Sequence, residues 1–318
     1  MTSWPNHAEA WRAWRDALGG ERMHHGWLLA GKAGLGKRDF AMAAARELVA
    51  EEGVPQPQGE HPDIIHVTYS AKDEKEERKQ MAGHPFELSR VIRERDIGSL
   101  QARLRTRPTL GARRAIIIEP SDDMNSHAAN KLLKSLEEPP VGTFFLLVTH
   151  RPARLLPTIR SRCRTLRFPV LTDSQVAALL EEAGLGQDLQ AIAAAEGSLG
   201  AALRFAELSL APIARVISGL LAGGDSGITG RGELARLIGP RAERERVQAV
   251  LELAQSLAAR AARITDSPQR RARLVETHAA LVALAAEAPT ANFDPGMRPF
   301  EIGTLLVAAA PASEPAHG

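Results

Sequence analysis

Apolar positions in the first half of the chain fall into two rhythms. Four short apolar runs are Gly26-Trp27-Leu28-Leu29-Ala30, Ile64-Ile65 with Val67, Ala115-Ile116-Ile117-Ile118, and Phe144-Phe145-Leu146-Leu147-Val148. Their length and β-branched content suit strands buried on both faces. They predict strands over 26–30, 63–69, 115–118 and 143–149. Between the runs, apolar residues recur at helical spacing. Trp11, Trp14 and Leu18 predict a core-packed helix over 8–18, and Phe40, Ala44 and Leu48 one over 39–50. Ala129, Leu132, Leu133 and Leu136 mark a helix over 126–138, which Pro139 and Pro140 stop. Ile97, Leu100 and Leu104 form a further stripe, with Asp96 as the expected cap. The charge run 71–80 has no apolar period and reads as a solvated loop or helix face. Strands alternating with helices as far as Phe168 predict an α/β domain with a mostly parallel sheet.

After Pro169 the strand signals end. Three short helices are expected over 172–183, 189–195 and 199–208. A glycine-rich break at 223–227 precedes longer helices over 231–238, 241–264 and 269–288. The expected division is an α/β domain at 1–168, a small helical domain at 169–209, a larger helical domain at 210–310 and a flexible Ala/Pro tail at 311–318.

Composition narrows the classes. The 318 residues are 44 % hydrophobic and 25 % charged, which suits a globular protein with a sizeable core. A net charge of +2 does not by itself imply nucleic acid. The single cysteine, Cys163, excludes an internal disulfide and a multi-cysteine zinc site. No apolar run reaches the ~20 residues of a membrane span, and 1–15 lacks an apolar signal core. A reducing cytoplasm is the expected setting.

The first strand leads into Gly31-Lys32-Ala33-Gly34-Leu35-Gly36-Lys37-Arg38. This satisfies G-x-x-x-x-G-K, the loop whose backbone N–H groups wrap phosphate while its lysine reaches the β- and γ-phosphates. The next position should carry the hydroxyl that holds magnesium, and Arg38 offers a cation no ligand. The strand ending Ile118-Glu119-Pro120 has proline where a second carboxylate is expected. Asp122 and Asp123 lie further along and read as turn formers. Cys163 has no neighbour that reads as a base, so nucleophilic chemistry is not expected there. Arg241, Arg244, Arg246, Arg260, Arg263, Arg270, Arg271 and Arg273 are interspersed with Glu243, Glu245 and Glu252, and read as a solvated helical face.

Three segments together carry a resemblance. They are Leu132-Leu133-Lys134-Ser135-Leu136-Glu137-Glu138-Pro139-Pro140, Phe144-Phe145-Leu146-Leu147-Val148-Thr149 and Ile159-Arg160-Ser161-Arg162-Cys163. They closely resemble the bacterial clamp-loader family, AAA+ proteins of the DNA polymerase III holoenzyme. The resemblance covers most of residues 20–210 and is most specific over 130–163. It implies an AAA+ P-loop domain with a parallel sheet flanked by helices, a small helical lid, and an all-α collar through which subunits assemble. Within the family, the damaged loop implies the delta-prime branch rather than the ATP-hydrolysing gamma/tau branch. Gly197-Ser198-Leu199-Gly200 has glycine where the family's lid arginine would fall.

The resemblance also implies a role for Arg162, whose family counterpart projects into the ATP site of an adjacent subunit. Arg160 is the rival, with a local ion pair as its simpler reading. The implied partners are gamma/tau and delta subunits, with the sliding clamp and primer-template DNA reached through the complex and no membrane. No cofactor is required, and Gly31, Gly34, Gly36 and Lys37 leave room for residual ATP or ADP. Family members often carry a four-cysteine zinc module, but 48–62 has no cysteine, and His61 and His66 do not replace it. An ATPase of the gamma/tau type and a stand-alone DNA-binding protein remain the alternatives.

Overall fold

The computed structural model describes residues 4–20, 23–186, 188–239, 242–287 and 298–311. Arg241 and the tail beyond residue 311 lie outside these, as does the side chain of Arg244. The chain divides into two compact units, residues 1–170 and 171–318.

In the first unit the strands are β1 (Gly26–Ala30), β2 (Ile64–Val67), β3 (Arg114–Ile118), β4 (Thr143–Thr149) and β5 (Arg164–Arg167). The helices are α1 (Ala8–Leu18), α2 (Lys37–Val49), α3 (Glu74–Met81), α4 (Glu94–Leu104), α5 (Ser126–Glu137) and the single turn α6 (Pro157–Arg160). The strands form one sheet in the order β2-β3-β4-β1-β5, and every pairing is parallel. Parallel strands need long crossovers, and helices supply them over both faces. That is why the inner strands β1, β3 and β4 are apolar without alternation, whereas the edge strand β5 is largely polar and exposed.

On one face Leu28, Ile116, Phe145 and Leu147 pack with Ile97, Leu100, Leu132 and Leu136. On the other, Trp14 of α1 sets its ring 5.2 Å from that of Trp27, and both are fully buried. Phe40 of α2 joins them at 6.5 Å from Trp14.

Several boundaries differ from expectation for local reasons. β2 begins after Asp63, whose fully buried carboxylate accepts from the backbone N–H groups of Thr109 (2.6 Å) and Leu110 (2.8 Å). Asp96 is not the cap of α4. Arg93 holds that position, and Asp96 reaches back from the first turn to accept from the Arg93 N–H at 2.7 Å. The charge run is helical as α3, capped by Asp73, and its Glu76 is buried. Glu76 accepts from Lys79 Nζ at 2.7 Å and from the Glu87 N–H at 2.8 Å.

The second unit is helical: α7 (Asp173–Glu182), α8 (Leu189–Ala195), α9 (Leu199–Glu207), α10 (Ala211–Gly223), α11 (Thr229–Ile238), α12 (Arg244–Ile264), α13 (Pro268–Glu287) and α14 (Arg298–Ala308). Ile217, Leu234, Val250, Leu281 and Leu306 meet in its core. The arginines expected on a solvated face are partly consumed internally. Arg246 donates to the Leu208 carbonyl at 2.6 Å, Arg270 to that of Leu221 at 3.2 Å and Arg271 to that of Thr265 at 2.6 Å. Arg263 pairs with Glu196. Among the described residues, no single helix is long and apolar enough to cross a membrane.

Candidate functional site

The glycine loop leaves the carboxyl end of β1, which lies between β4 and β5, and runs into α2. Gly34 (φ 74°) and Gly36 (φ 70°) take the left-handed conformation, which costs other residues about 1–2 kcal/mol. Gly31 is required for a different reason. A Cβ there would lie 2.5 Å from the Phe168 carbonyl oxygen. The loop therefore has the backbone of a phosphate cradle.

Its side chains are arranged otherwise. Lys37 is buried, and its Nζ donates to the loop's own carbonyls at Gly31 (2.8 Å) and Lys32 (2.6 Å). Burial pulls its pKa down to about 8, against the opposing pull of Glu119 and Asp122. The Arg38 guanidinium lies 3.7 Å from Glu119 Oε2, and His66 Nε2 lies 3.4 Å from the same oxygen. The position that would carry the magnesium-binding hydroxyl and the carboxylate at the end of β3 thus face each other as an ion pair.

Trp4, ahead of α1, places its indole against Gly36. The indole Nε1 donates to Asp39 at 3.1 Å, and its ring stacks on His7 at 5.4 Å. Arg38, paired with Glu119, offers magnesium no ligand where the loop's hydroxyl would stand.

Asp122 and Asp123 sit in the single turn after β3, as expected, but they also clasp β4. Asp122 accepts from the Thr149 hydroxyl at 3.1 Å, the His150 N–H at 2.8 Å and Arg151 at 3.2 Å. Burial acts to raise its pKa, but these donors outweigh it and leave the carboxyl below its ordinary value. Asp123 accepts from the Tyr69 hydroxyl at 2.6 Å. Neither carboxylate is free to replace a missing catalytic one.

Arg162 lies at the opposite end of the strands from the loop. A Cβ on Gly26, the first residue of β1, would come 2.9 Å from the Arg162 carbonyl oxygen. The loop leaves the last residue of the same strand. Five residues of strand span about 16 Å, further than an arginine side chain reaches. Arg162 pairs with Glu137 at 2.8 Å and donates to the Thr158 carbonyl at 3.0 Å, with 36 % of its side chain exposed. The local ion pair expected for Arg160 therefore belongs to Arg162. Arg160 donates instead to the Pro152 carbonyl at 3.3 Å. Burial pushes the Cys163 thiol up to about 12, which leaves it inert as a nucleophile.

The loop glycines, Lys37 and Glu119 are thus brought together, and Arg162 stands apart from them. Trp4 and Glu137 were not singled out by pattern. The only hint of Trp4 is a Trp-Pro pair just before an amphipathic helix.

Ser198 caps α9, accepting from the Ala201 N–H at 3.1 Å, and Gly200 follows in the first turn with no side chain to offer. Both ring nitrogens of His61 are engaged, with Gln56 at 2.9 Å and the Asp63 N–H at 3.0 Å. Among the described residues, no group of three or more His, Cys, Asp or Glu is placed to hold a metal.

A five-stranded parallel sheet with a glycine loop between β1, an inner strand, and the helix α2 defines a P-loop α/β domain. The model of the family described as DNA polymerase III, delta subunit, matches residues 6–172, and the chain belongs to that family.

Among curated relatives, the DNA polymerase III subunit delta' of Pseudomonas aeruginosa is 35 % identical over 167 residues, 47 % of this chain and 46 % of that protein. The subunit delta' of Escherichia coli is 33 % identical over 193 residues, 57 % and 54 % of the two chains. The subunit tau of Escherichia coli is 28 % identical over 210 residues, 60 % and 30 %. The chain spans about half the length of the delta' relatives it matches. A solved DNA polymerase III gamma subunit-related protein from Thermotoga maritima superposes with a TM-score of 0.46 at 20 % identity, over 93 % of this chain and 97 % of that one.

Proposed function

We propose that this chain is a delta-prime-type subunit of a bacterial clamp loader, that it hydrolyses no ATP itself, and that it donates Arg162 to the ATP site of a neighbouring subunit. The observation that carries the reading is the position of Arg162 at the opposite end of the strands from the chain's own loop. An arginine there serves a site on another molecule or none. Family membership supports a place in such an assembly, and gamma/tau and delta subunits are the partners this reading assigns. The sliding clamp and primed DNA are reached through that complex, in the bacterial cytoplasm. Residues 169–209 act as the lid and 210–310 as the collar.

The chemistry is charge neutralisation. A guanidinium supplied from a neighbour spreads positive charge over the transferring phosphoryl group and is typically worth ~10³–10⁵ in rate. In the free chain Glu137 holds the guanidinium at 2.8 Å. In the assembly, phosphate replaces that carboxylate.

The test is reconstitution with gamma/tau and delta subunits, reading complex formation, DNA-stimulated ATP hydrolysis and clamp loading together. Arg162→Ala should leave the chain folded, since a partly exposed arginine usually costs within about 0.5 kcal/mol. Assembly should persist, while hydrolysis at the adjacent site and clamp loading fall. Arg160→Ala should do less. Normal assembly with unchanged loading by Arg162→Ala would remove the role assigned to it.

A further inference from the structure

A phosphate-binding loop works by letting phosphate approach backbone N–H groups closely, and glycine stands wherever a side chain would come between. At Gly36 that space is already filled. A Cβ on Gly36 would lie 2.2 Å from Trp4 Cε2 and 2.4 Å from Cδ2, so the indole rests directly on the glycine. Gly36 immediately precedes α2, whose first N–H groups have no partner within the helix and are the natural anion ligands.

The indole is held from several sides. Its Nε1 donates to Asp39 Oδ2 at 3.1 Å. Its ring lies nearly parallel to that of His7, with 10° between the planes. His7 is itself fixed, with Nε2 2.8 Å from the Leu35 carbonyl oxygen and its ring edge-on to Phe168 at 5.0 Å. Meanwhile Lys37 satisfies its ammonium on the carbonyls of Gly31 and Lys32. The loop is therefore closed by an apolar surface rather than collapsed.

We infer that Trp4 is an intramolecular plug, its indole occupying the space over Gly36 that a nucleoside di- or triphosphate would need. The inference rests on the reading of residues 31–37 as a nucleotide-type loop, but not on the role of Arg162. Two separable defects follow. Arg38 and Pro120 remove the hydrolytic groups, whereas Trp4 blocks entry. Apparent affinity falls in proportion to the fraction of molecules in which the plug is open. Removing the plug returns that factor without restoring hydrolysis.

The experiment is nucleotide binding by the full-length isolated chain, read as the fluorescence anisotropy of a methylanthraniloyl-ADP probe, with and without magnesium. Trp4→Ala should bind at least about tenfold more tightly than the unaltered chain, and adding Lys37→Ala should abolish the gain. Thermal unfolding of each variant checks the fold. If Trp4→Ala does not fold, Trp4→Leu, which keeps an apolar cover on His7 but empties most of the indole space, is held to the same criterion. Equal affinity of folded variant and unaltered chain overturns the plug. So does a gain that survives Lys37→Ala, because the probe would then be binding elsewhere. No other subunit is present, so failure here is distinct from failure of the reconstitution test.

Discussion

At the scale of single residues, the loop's chemistry turns on where three cations find their partners. Arg38 faces Glu119, Arg162 faces Glu137, and Lys37 faces carbonyl oxygens inside its own loop. The lysine is the costly one. Burial lowers its pKa from 10.5 to about 8, so between those values the unfolded chain holds a proton that the folded chain has lost. Stability therefore rises with pH across that window; the cost is fully present below about pH 8 and gone above about 10.5. A shift of this size corresponds to about 3 kcal/mol at most. Urea unfolding of the unaltered chain and of Lys37→Met should diverge accordingly, with the difference growing in favour of lysine as pH is raised from 8 to 10.5. A pH-independent difference would mean that the ammonium is solvated in the folded state.

At the scale of elements, the sheet depends on tight approaches between neighbouring segments. Gly142, in the turn joining α5 to β4, has φ 73°, and a Cβ there would stand 2.1 Å from the Ala112 carbonyl oxygen. Its own carbonyl accepts from the Arg114 N–H at 2.7 Å and so starts the β3–β4 ladder. Gly142→Ala should cost more than the ~1–2 kcal/mol of the left-handed conformation alone, because the obstructing atom is backbone. An unfolding free energy within about 0.5 kcal/mol of the unaltered chain would show that this turn can shift. Leu132→Ala probes the α5 packing. Leu132 is fully buried among Ile97, Ile116 and Phe145, and its truncation should cost about 2–5 kcal/mol by chemical denaturation.

At the scale of the whole molecule, the expectation is a chain that assembles but does not turn over ATP. The isolated protein should show no magnesium-dependent ATP hydrolysis above background, measured by phosphate release, and Lys37→Ala should leave that background unchanged. Robust turnover abolished by Lys37→Ala would instead favour an ATPase of the gamma/tau type. Elemental analysis should find no stoichiometric zinc. His61 is engaged through both ring nitrogens, and residues 48–62 contain no cysteine. One zinc per chain, retained through dialysis against chelator, would contradict this.

Much of the architecture is written in local pattern. Unbroken apolar runs at 26–30, 115–118 and 143–149 become strands because a strand buried on both faces has no polar positions to alternate. The loop glycines are equally legible, since the left-handed conformation at Gly34 and Gly36 is a property of the residue itself. So is the missing hydroxyl at Arg38. Helix α14 was not foreseen, because its apolar positions find their core mainly against α10 and α11, some 60–80 residues earlier in the chain. The charge run at 71–80 reads as a solvated loop or helix face, and what its pattern does not show is that Glu76 of that helix is buried. Burying Glu76 takes a donor at Glu87 that only chain folding brings near. What tertiary structure alone decided is which side chains share space. Period and composition describe neighbours along the chain. The indole of Trp4 on Gly36, the carboxylate of Glu137 on Arg162, and the full strand length separating Arg162 from its own loop are distances between segments remote in sequence. They become definite only when the sheet order is set.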